Sequence, residues 1–230
     1  TIVVSTPLKD YFLSKGVPGD KIEVIPNGVN PDKFKPQPKD QDLLRQVGAN
    51  DDAVIVGFTG ILRAWHGLDF LIEALRHVLK SPSTANIFLL IVGDGPIRSD
   101  IERQLEGAGF SGYYFITGRL QHHEVPNYVN LFDIAVSPKA TFYASPMKVI
   151  EYMALKKAVV VPGTDNFNDI IDNGVNGNTF RYDDIFDLSE TISNLIRRSS
   201  DRENLSSSAH EKVIRELNWR QNAIKVCALL

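Results

Sequence analysis

In the stretch "YASPMKVIEYMALKKAVVVPG", Tyr143 to Gly163, a lysine and a glutamate stand three residues apart, directly before a valine-rich strand. Ser145 reads as the N-cap of a helix and Pro146 as its first residue. The free N–H groups of Met147 and Lys148 then project from the helix end and, with the lysine ammonium, suit an anion. Glu151 shares that face, since residues three and four apart are neighbours on a helix. Its carboxylate accepts two hydrogen bonds, which matches a ribose diol. A surface Lys148–Glu151 pair would contribute only about a few tenths of a kcal/mol. It would not explain why an otherwise apolar helix (Val149, Ile150, Met153, Ala154) carries two charges at the carboxyl end of a strand.

A second group lies in "GILRAWHGLDFL", Gly60 to Leu71. Arg63 and His66 fall in a loop before a helix N-terminus, where an arginine fork, an imidazole and the positive helix end make a pyrophosphate cradle. The plainer alternative is a solvated Arg63 and a capping His66, with Trp65 wedging the loop. In "GDGP", Gly93 and Gly95 free the chain to turn around Asp94, and Pro96 pre-sets a helix start. The segment is not G-x-G-x-x-G, so a dinucleotide fingerprint is absent. Asp40-Gln41-Asp42 has the spacing of a metal-binding pair, but acidic residues favour a first helical turn and it reads as one. His122-His123 reads as an exposed pair at a helix start, with no third ligand beside it. No metal site is expected.

These residues need a scaffold that brings strand ends together. The sequence alternates strands and helices: strands at Ala53–Gly60, Ile87–Gly95, Tyr113–Gly118, Ile134–Pro138, Ala158–Gly163 and Asn178–Tyr182, with helices between. The helix from Gly67 puts Leu68, Leu71, Ile72, Leu75, Val78 and Leu79 on one face. The helix from Pro96 ends at Gly109, and the next spans His122–Phe132. From Ile185 to Leu230 the chain is mostly helical, with caps at Asp187 and Ser200. Continuous apolar strands separated by helices predict a parallel sheet covered on both faces, a Rossmann-like doubly wound α/β domain. Ligands of such sheets bind at the carboxyl ends of the strands, and the glycines there let a backbone approach closely. Pro-rich and charged, Asn30–Asp42 reads as an extended linker.

The bulk composition narrows the function. The chain has 230 residues, 43% hydrophobic, with 25 basic against 28 acidic side chains. No basic surplus marks a nucleic-acid binder. The single cysteine, Cys227, rules out an internal disulfide and fits a reducing, cytoplasmic compartment. No apolar run approaches the ~20 residues of a membrane span. The opening at Thr1 inside "TIVVS" carries the expectation that residues precede it in a longer protein.

In order, "KIEVIPNGVNPDKFKP", "GFTGILRAWHGLDFLIEAL", "LLIVGDGP", "FITGRLQHHEVPNYVNLFDIAVSP" and "SPMKVIEYMALKKAVVV" resemble the motifs of family 4 (group 1) glycosyltransferases. The resemblance covers nearly the whole chain, from about Val3 to Ile224. It implies the C-terminal, donor-binding half of a GT-B enzyme, with the acceptor-binding half missing. On this reading residues 1–20 are the tail of the missing domain, 21–215 the donor domain and 216–230 a crossover helix. Glu151 matches the second glutamate of the family's E-x7-E motif, which binds the donor ribose; the first falls on Tyr143. Met147 and Lys148 match the helix start near the donor phosphates and sugar. Arg119 and Leu120 match the stretch framing the base, and Gly60 and Gly67 the glycines of the phosphate loop. The family's phosphate Arg and Lys fall on Ile61 and His66, with Arg63 two residues away to replace the arginine.

The implied reaction is sugar transfer from a nucleotide-sugar to a saccharide or lipid-linked acceptor, with retention and without a metal. Arg63, His66 and Lys148 are the expected catalytic residues, stabilising the departing diphosphate. Gly60, Gly67, Gly93, Asp94, Gly95, Gly118, Arg119, Leu120, Tyr143, Ser145, Pro146, Met147 and Glu151 are the expected donor-binding set. No cofactor is expected beyond the nucleotide-sugar substrate. The acceptor, and any contact with the inner face of a membrane, would come through the missing half, and this fragment alone should not transfer sugar. A nucleotide-sugar 2-epimerase of the same fold, or a non-catalytic nucleotide-binding module, is the alternative.

Overall fold

The computed structural model describes residues 1–84 and 86–229. The elements in chain order are β1 (Ile2–Val3), α1 (Thr6–Ser14), β2 (Glu23–Val24), α2 (Gln41–Gln46), β3 (Val54–Thr59), α3 (Leu68–Val78), β4 (Ile87–Val92), α4 (Arg98–Gly107), β5 (Tyr114–Ile116), α5 (Val125–Asn130), β6 (Ile134–Val136), α6 (Met147–Ala154), β7 (Ala158–Pro162), α7 (Asp165–Asn168), β8 (Asn178–Phe180), α8 (Ile185–Arg197), α9 (Ser199–Arg215) and α10 (Trp219–Cys227). The end of the expected crossover helix, Leu230, lies outside the described residues.

Six strands form one parallel sheet in the order β5-β4-β3-β6-β7-β8, and β1 and β2 pair separately. The long sheet reads 3-2-1-4-5-6 when its strands are counted from β3, the Rossmann order. Its topological switch point lies between β3 and β6, which pair through Val56–Ile134 and Gly57–Ala135. Residues alternate between the two faces along each strand. Ile55, Phe88, Leu90, Ala135 and Val159 belong to one core, which α5, α6 and α9 cover through Val129, Ile150 and Val213. Val56, Leu89, Ile91, Val136 and Val160 belong to the other, which α3 and α8 cover through Leu71, Leu75, Leu188 and Ile192. Gly57 is small because the Phe132 ring lies on it: a Cβ there would stand 2.2 Å from the ring.

Several local expectations change. Ser145 does not cap α6. That helix begins at Met147 after Pro146 in extended conformation, with no side-chain cap. Ser145 instead accepts a hydrogen bond from the Asn27 amide at 3.0 Å, and its carbonyl accepts from the Asn27 side chain. The α8 cap is Asp184, accepting from the Asp187 amide, not Asp187 itself. Ser200 lies inside α9, whose N-cap position is Arg198. The Asn30–Asp42 segment is bound to the domain rather than free: Phe34 is buried, the Gln37 amide donates to Asn130, and Lys39 pairs with Asp133 at 2.6 Å. Asp40 is the N-cap of α2, accepting from the amides of Asp42 and Leu43. That accounts for the acidic pair without a metal.

Candidate functional site

The carboxyl ends of β3 and β4, the segment after β5 and the start of α6 border one cleft of about 840 Å³. Thr59, Gly60 and Ile61 follow from β3, and Val92, Gly93, Asp94 and Gly95 from β4. Arg119, Leu120, His122 and Val125 come from the segment between β5 and α5, and Lys148 and Glu151 from α6. The cleft therefore sits at the switch point, where an open α/β sheet leaves room for a ligand.

The glycines have a partner other than a ligand. A Cβ on Gly93 would stand 2.1 Å from the Gly60 carbonyl oxygen, and one on Gly95 2.4 Å from that of Leu62. The loops after β3 and β4 lie against each other. Gly60 N donates to the Val92 carbonyl at 3.0 Å and Leu62 N to the Asp94 carbonyl at 2.9 Å. These glycines build the floor by letting two backbones meet. Gly67 takes a left-handed φ of 70° beside the Lys139 side chain, and Gly118 a φ of 74° near Arg98. Neither lines the cleft.

The floor is anchored from below by Tyr152, the residue after Glu151. Its buried hydroxyl accepts from the Thr59 amide at 2.6 Å and lies 2.9 Å from the Thr59 hydroxyl. This ties the end of β3 to α6 and fixes the height of Gly60 against the helix start.

Lys148 lies on that floor. Its Nζ is 4.2 Å from the Phe58 ring centroid, and a Cβ on Gly60 would stand 3.0 Å from it. The ammonium is shut from solvent and has no hydrogen-bond partner among the described residues. Burial pushes it down to about 8, opposed by attraction to Glu151. Glu151, mostly buried on the same helix face, is pushed up to about 7 by burial, opposed by Lys148. The site thus holds a desolvated ammonium and a desolvated carboxylate side by side. An unpaired buried charge costs several kcal/mol, and an anion beside Lys148 would offset that cost.

The other sequence-predicted residues spread around the rim. Asp94 is exposed and turns one oxygen to its neighbour's amide, Gly95 N, at 2.8 Å. Arg63 is exposed outside the cleft lining, with its guanidinium 4.9 Å from the Trp65 ring. His66 donates from Nδ1 to the Ile61 carbonyl at 2.6 Å, the one polarity a carbonyl allows. Burial first, then the Lys148 charge, hold it below the usual histidine value, so at neutral pH it is an uncharged anchor of the loop. Tyr143 is exposed, packs edge-on against Phe142, and has its carbonyl bonded by the Ser5 hydroxyl at 2.7 Å. Met147 is exposed at the start of α6, while Ser145 and Pro146 are buried behind it.

Thr59, Ile61, Val92, His122 and Val125 line the cleft without belonging to the expected site set, and His122 is the basic one among them. It is exposed, as expected of the His122-His123 pair, and the fold brings it opposite α6. Among the described residues no group of three or more His, Cys, Asp or Glu is placed to hold a metal ion.

The family model described as Glycosyl transferases group 1 matches residues 53–198, more than half of the chain. An alpha-D-kanosaminyltransferase of Streptomyces kanamyceticus is 27% identical over 134 residues, 58% of this chain and 34% of that protein. A lipopolysaccharide 1,2-N-acetylglucosaminetransferase of Salmonella typhimurium is 22% identical over 231 residues, 96% of this chain and 59% of that protein. The chain therefore spans from a third to three fifths of these relatives. The crystal structure of Anabaena HepE in complex with UDP superposes with a TM-score of 0.87 at 20% identity, covering 100% of this chain and 63% of that one. Its fold is the same.

Proposed function

This chain belongs to the group 1 glycosyltransferases, and from that premise we propose that it is the donor-binding half of a GT-B enzyme. It takes a nucleoside-diphosphate sugar and, with an acceptor-binding half, transfers the sugar to a saccharide or lipid-linked acceptor with retention of configuration. The observation that carries this reading is the buried, unpartnered Lys148 ammonium on the floor of a cleft at the Rossmann switch point. A diphosphate seated on the Gly60–Ile61 loop meets that ammonium once the Lys148 side chain turns off the Phe58 ring into the cleft, and charge-assisted hydrogen bonds to phosphate are among the stronger ones available. Glu151 then faces the ribose, and the Arg119–Leu120 backbone faces the base.

During transfer the diphosphate gains negative charge as the sugar leaves. Lys148 is anchored on α6 beside that charge and needs only a side-chain turn to meet it, and a cation so placed lowers such a barrier. Its own positive charge does the work otherwise given to a bound cation, so the reaction proceeds without a metal. Neutral His66 holds the Ile61 carbonyl and keeps the loop seated beside Lys148. Arg63 contributes from the rim as a screened, longer-range charge. With 25 basic against 28 acidic side chains the chain lacks the basic surplus of a nucleic-acid binder. No described helix is long and apolar enough to cross a membrane, and contact with the inner membrane face belongs to the acceptor half.

The choice of UDP as first ligand is supported by the similar fold of the UDP complex of Anabaena HepE. Thermal unfolding with UDP-, GDP- and ADP-sugars tests the reading. A ligand at about 100 times its Kd stabilises the native state by about 2.7 kcal/mol. At least one nucleotide-sugar should raise the melting temperature. If none does while the protein is folded, the donor-binding reading is wrong.

A further inference from the structure

His122 lies across the cleft from Glu151, with its Nε2 4.0 Å from the Glu151 Oε1. Among the described residues His122 is the basic group that comes within 4.0 Å of the Glu151 carboxylate. The separation is too long for a direct hydrogen bond. It suits one hydroxyl oxygen placed between the two groups: an oxygen about 2.8 Å from each closes a 4.0 Å gap at an angle near 90°. The His122 side chain is 74% exposed and stands at the rim of the cleft, with one aromatic contact to orient its ring. Its ring meets Phe34 edge-on at 5.7 Å, and Phe34 is buried in the core, so one side of the ring rests on a fixed aromatic. The Glu124 carboxylate, which accepts from the Gln121 amide at 2.7 Å, closes the turn that carries His122.

We propose that His122 is a donor-binding residue that shares one ribose hydroxyl with Glu151. The hydroxyl donates to the carboxylate and accepts from Nε2–H. The pair then recognises a ribose diol from two sides of the cleft, and a nucleotide lacking the shared hydroxyl leaves both groups unpaired. The proposal rests on the nucleoside-diphosphate reading of the cleft.

The test is calorimetric binding of UDP, 2′-deoxy-UDP and 3′-deoxy-UDP to the wild type, His122→Ala and His122→Gln. His122→Ala should weaken UDP binding about five- to tenfold, the size of one hydrogen bond to a charged or polar site. The loss should vanish for the deoxynucleotide that lacks the shared hydroxyl. His122→Gln, whose amide N–H reaches a similar position, should recover most of the UDP affinity. An equal loss for all three nucleotides, no loss at all, or no recovery in the Gln variant overturns the His122 assignment while leaving the diphosphate reading standing. Failure of the wild type to bind UDP at all contradicts the diphosphate reading, and His122 falls with it.

Discussion

The Tyr152 hydroxyl accepts the Thr59 backbone N–H at 2.6 Å, across 93 residues of sequence, and joins the end of β3 to α6. Tyr152 follows Glu151 on the helix, and Thr59 precedes Gly60 on the floor. One buried hydrogen bond thus ties the Gly60–Ile61 loop to the helix that carries the two charged side chains.

Tyr152→Phe removes that hydroxyl and leaves a buried amide without a partner. The cost is about 1–3 kcal/mol of stability, because an unsatisfied buried donor forfeits its full solvation. Chemical denaturation should show it as a lower midpoint with an unchanged slope. UDP affinity should fall as well, since Gly60 is no longer held against Lys148. A variant with wild-type stability would show that the bond does not anchor the floor.

Gly93→Ala tests the loop-to-loop packing. Gly93 has a φ of 144°, and an added Cβ would meet the Gly60 carbonyl at 2.1 Å. That neighbour is backbone and moves only with the floor. We expect a loss of about 2–3 kcal/mol, as for other overpacked sites, with UDP binding reduced at the same time. Gly109→Ala is the control: its φ is also positive, at 88°, but nothing lies within 4 Å of the added Cβ. It should leave UDP binding intact.

The two desolvated charges set the pH dependence of the unliganded protein. Glu151 is pushed up to about 7 from 4.5, so the folded state holds its proton more tightly than the unfolded chain. Stability therefore falls as pH rises from about 4.5 to about 7. Lys148 is pushed down to about 8 from 10.5, so the folded state releases its proton first, and its contribution rises between about pH 8 and 10.5. Lys157, also down to about 8 by burial, acts in the same direction. Melting temperatures of the wild type, Glu151→Gln and Lys148→Met across pH 4.5 to 10 separate these effects. Relative to Glu151→Gln, the wild type should lose ground from pH 4.5 to 7. Relative to Lys148→Met, it should gain ground above pH 8. Parallel curves would show that neither charge is desolvated in the folded protein.

The sheet was legible in the sequence because most of its strands are short apolar runs, four of the six leading into a glycine, with helices between them. Lys148 and Glu151 were legible as a pair because helical spacing alone puts them on one face. Their surroundings were not. That Lys148 rests on Phe58 and Gly60 follows from β3 pairing with β6, a contact between segments far apart in the chain. The glycines at the strand ends pointed to a close approach, but local spacing does not say to what, and the partner is the neighbouring loop's backbone. Ser145 has the residue type and position of a cap, yet a tertiary bond to Asn27 takes its hydroxyl instead. His122 carried no signal of its own. The two adjacent histidines are solvated as their sequence suggests, and only the sheet order shows that their loop faces α6.

Isothermal titration calorimetry of UDP against the wild type, Lys148→Met and Arg63→Ala tests the central claim most directly. Lys148 Nζ is buried and unpartnered, so replacing it with methionine removes the proposed charge-assisted contact to phosphate while keeping the packing. The expected loss is about 10- to 100-fold in affinity, corresponding to about 1.5–3 kcal/mol. Arg63→Ala, at the exposed rim, should change affinity by no more than about threefold. A Lys148→Met protein that is folded and binds UDP as tightly as the wild type would contradict the account.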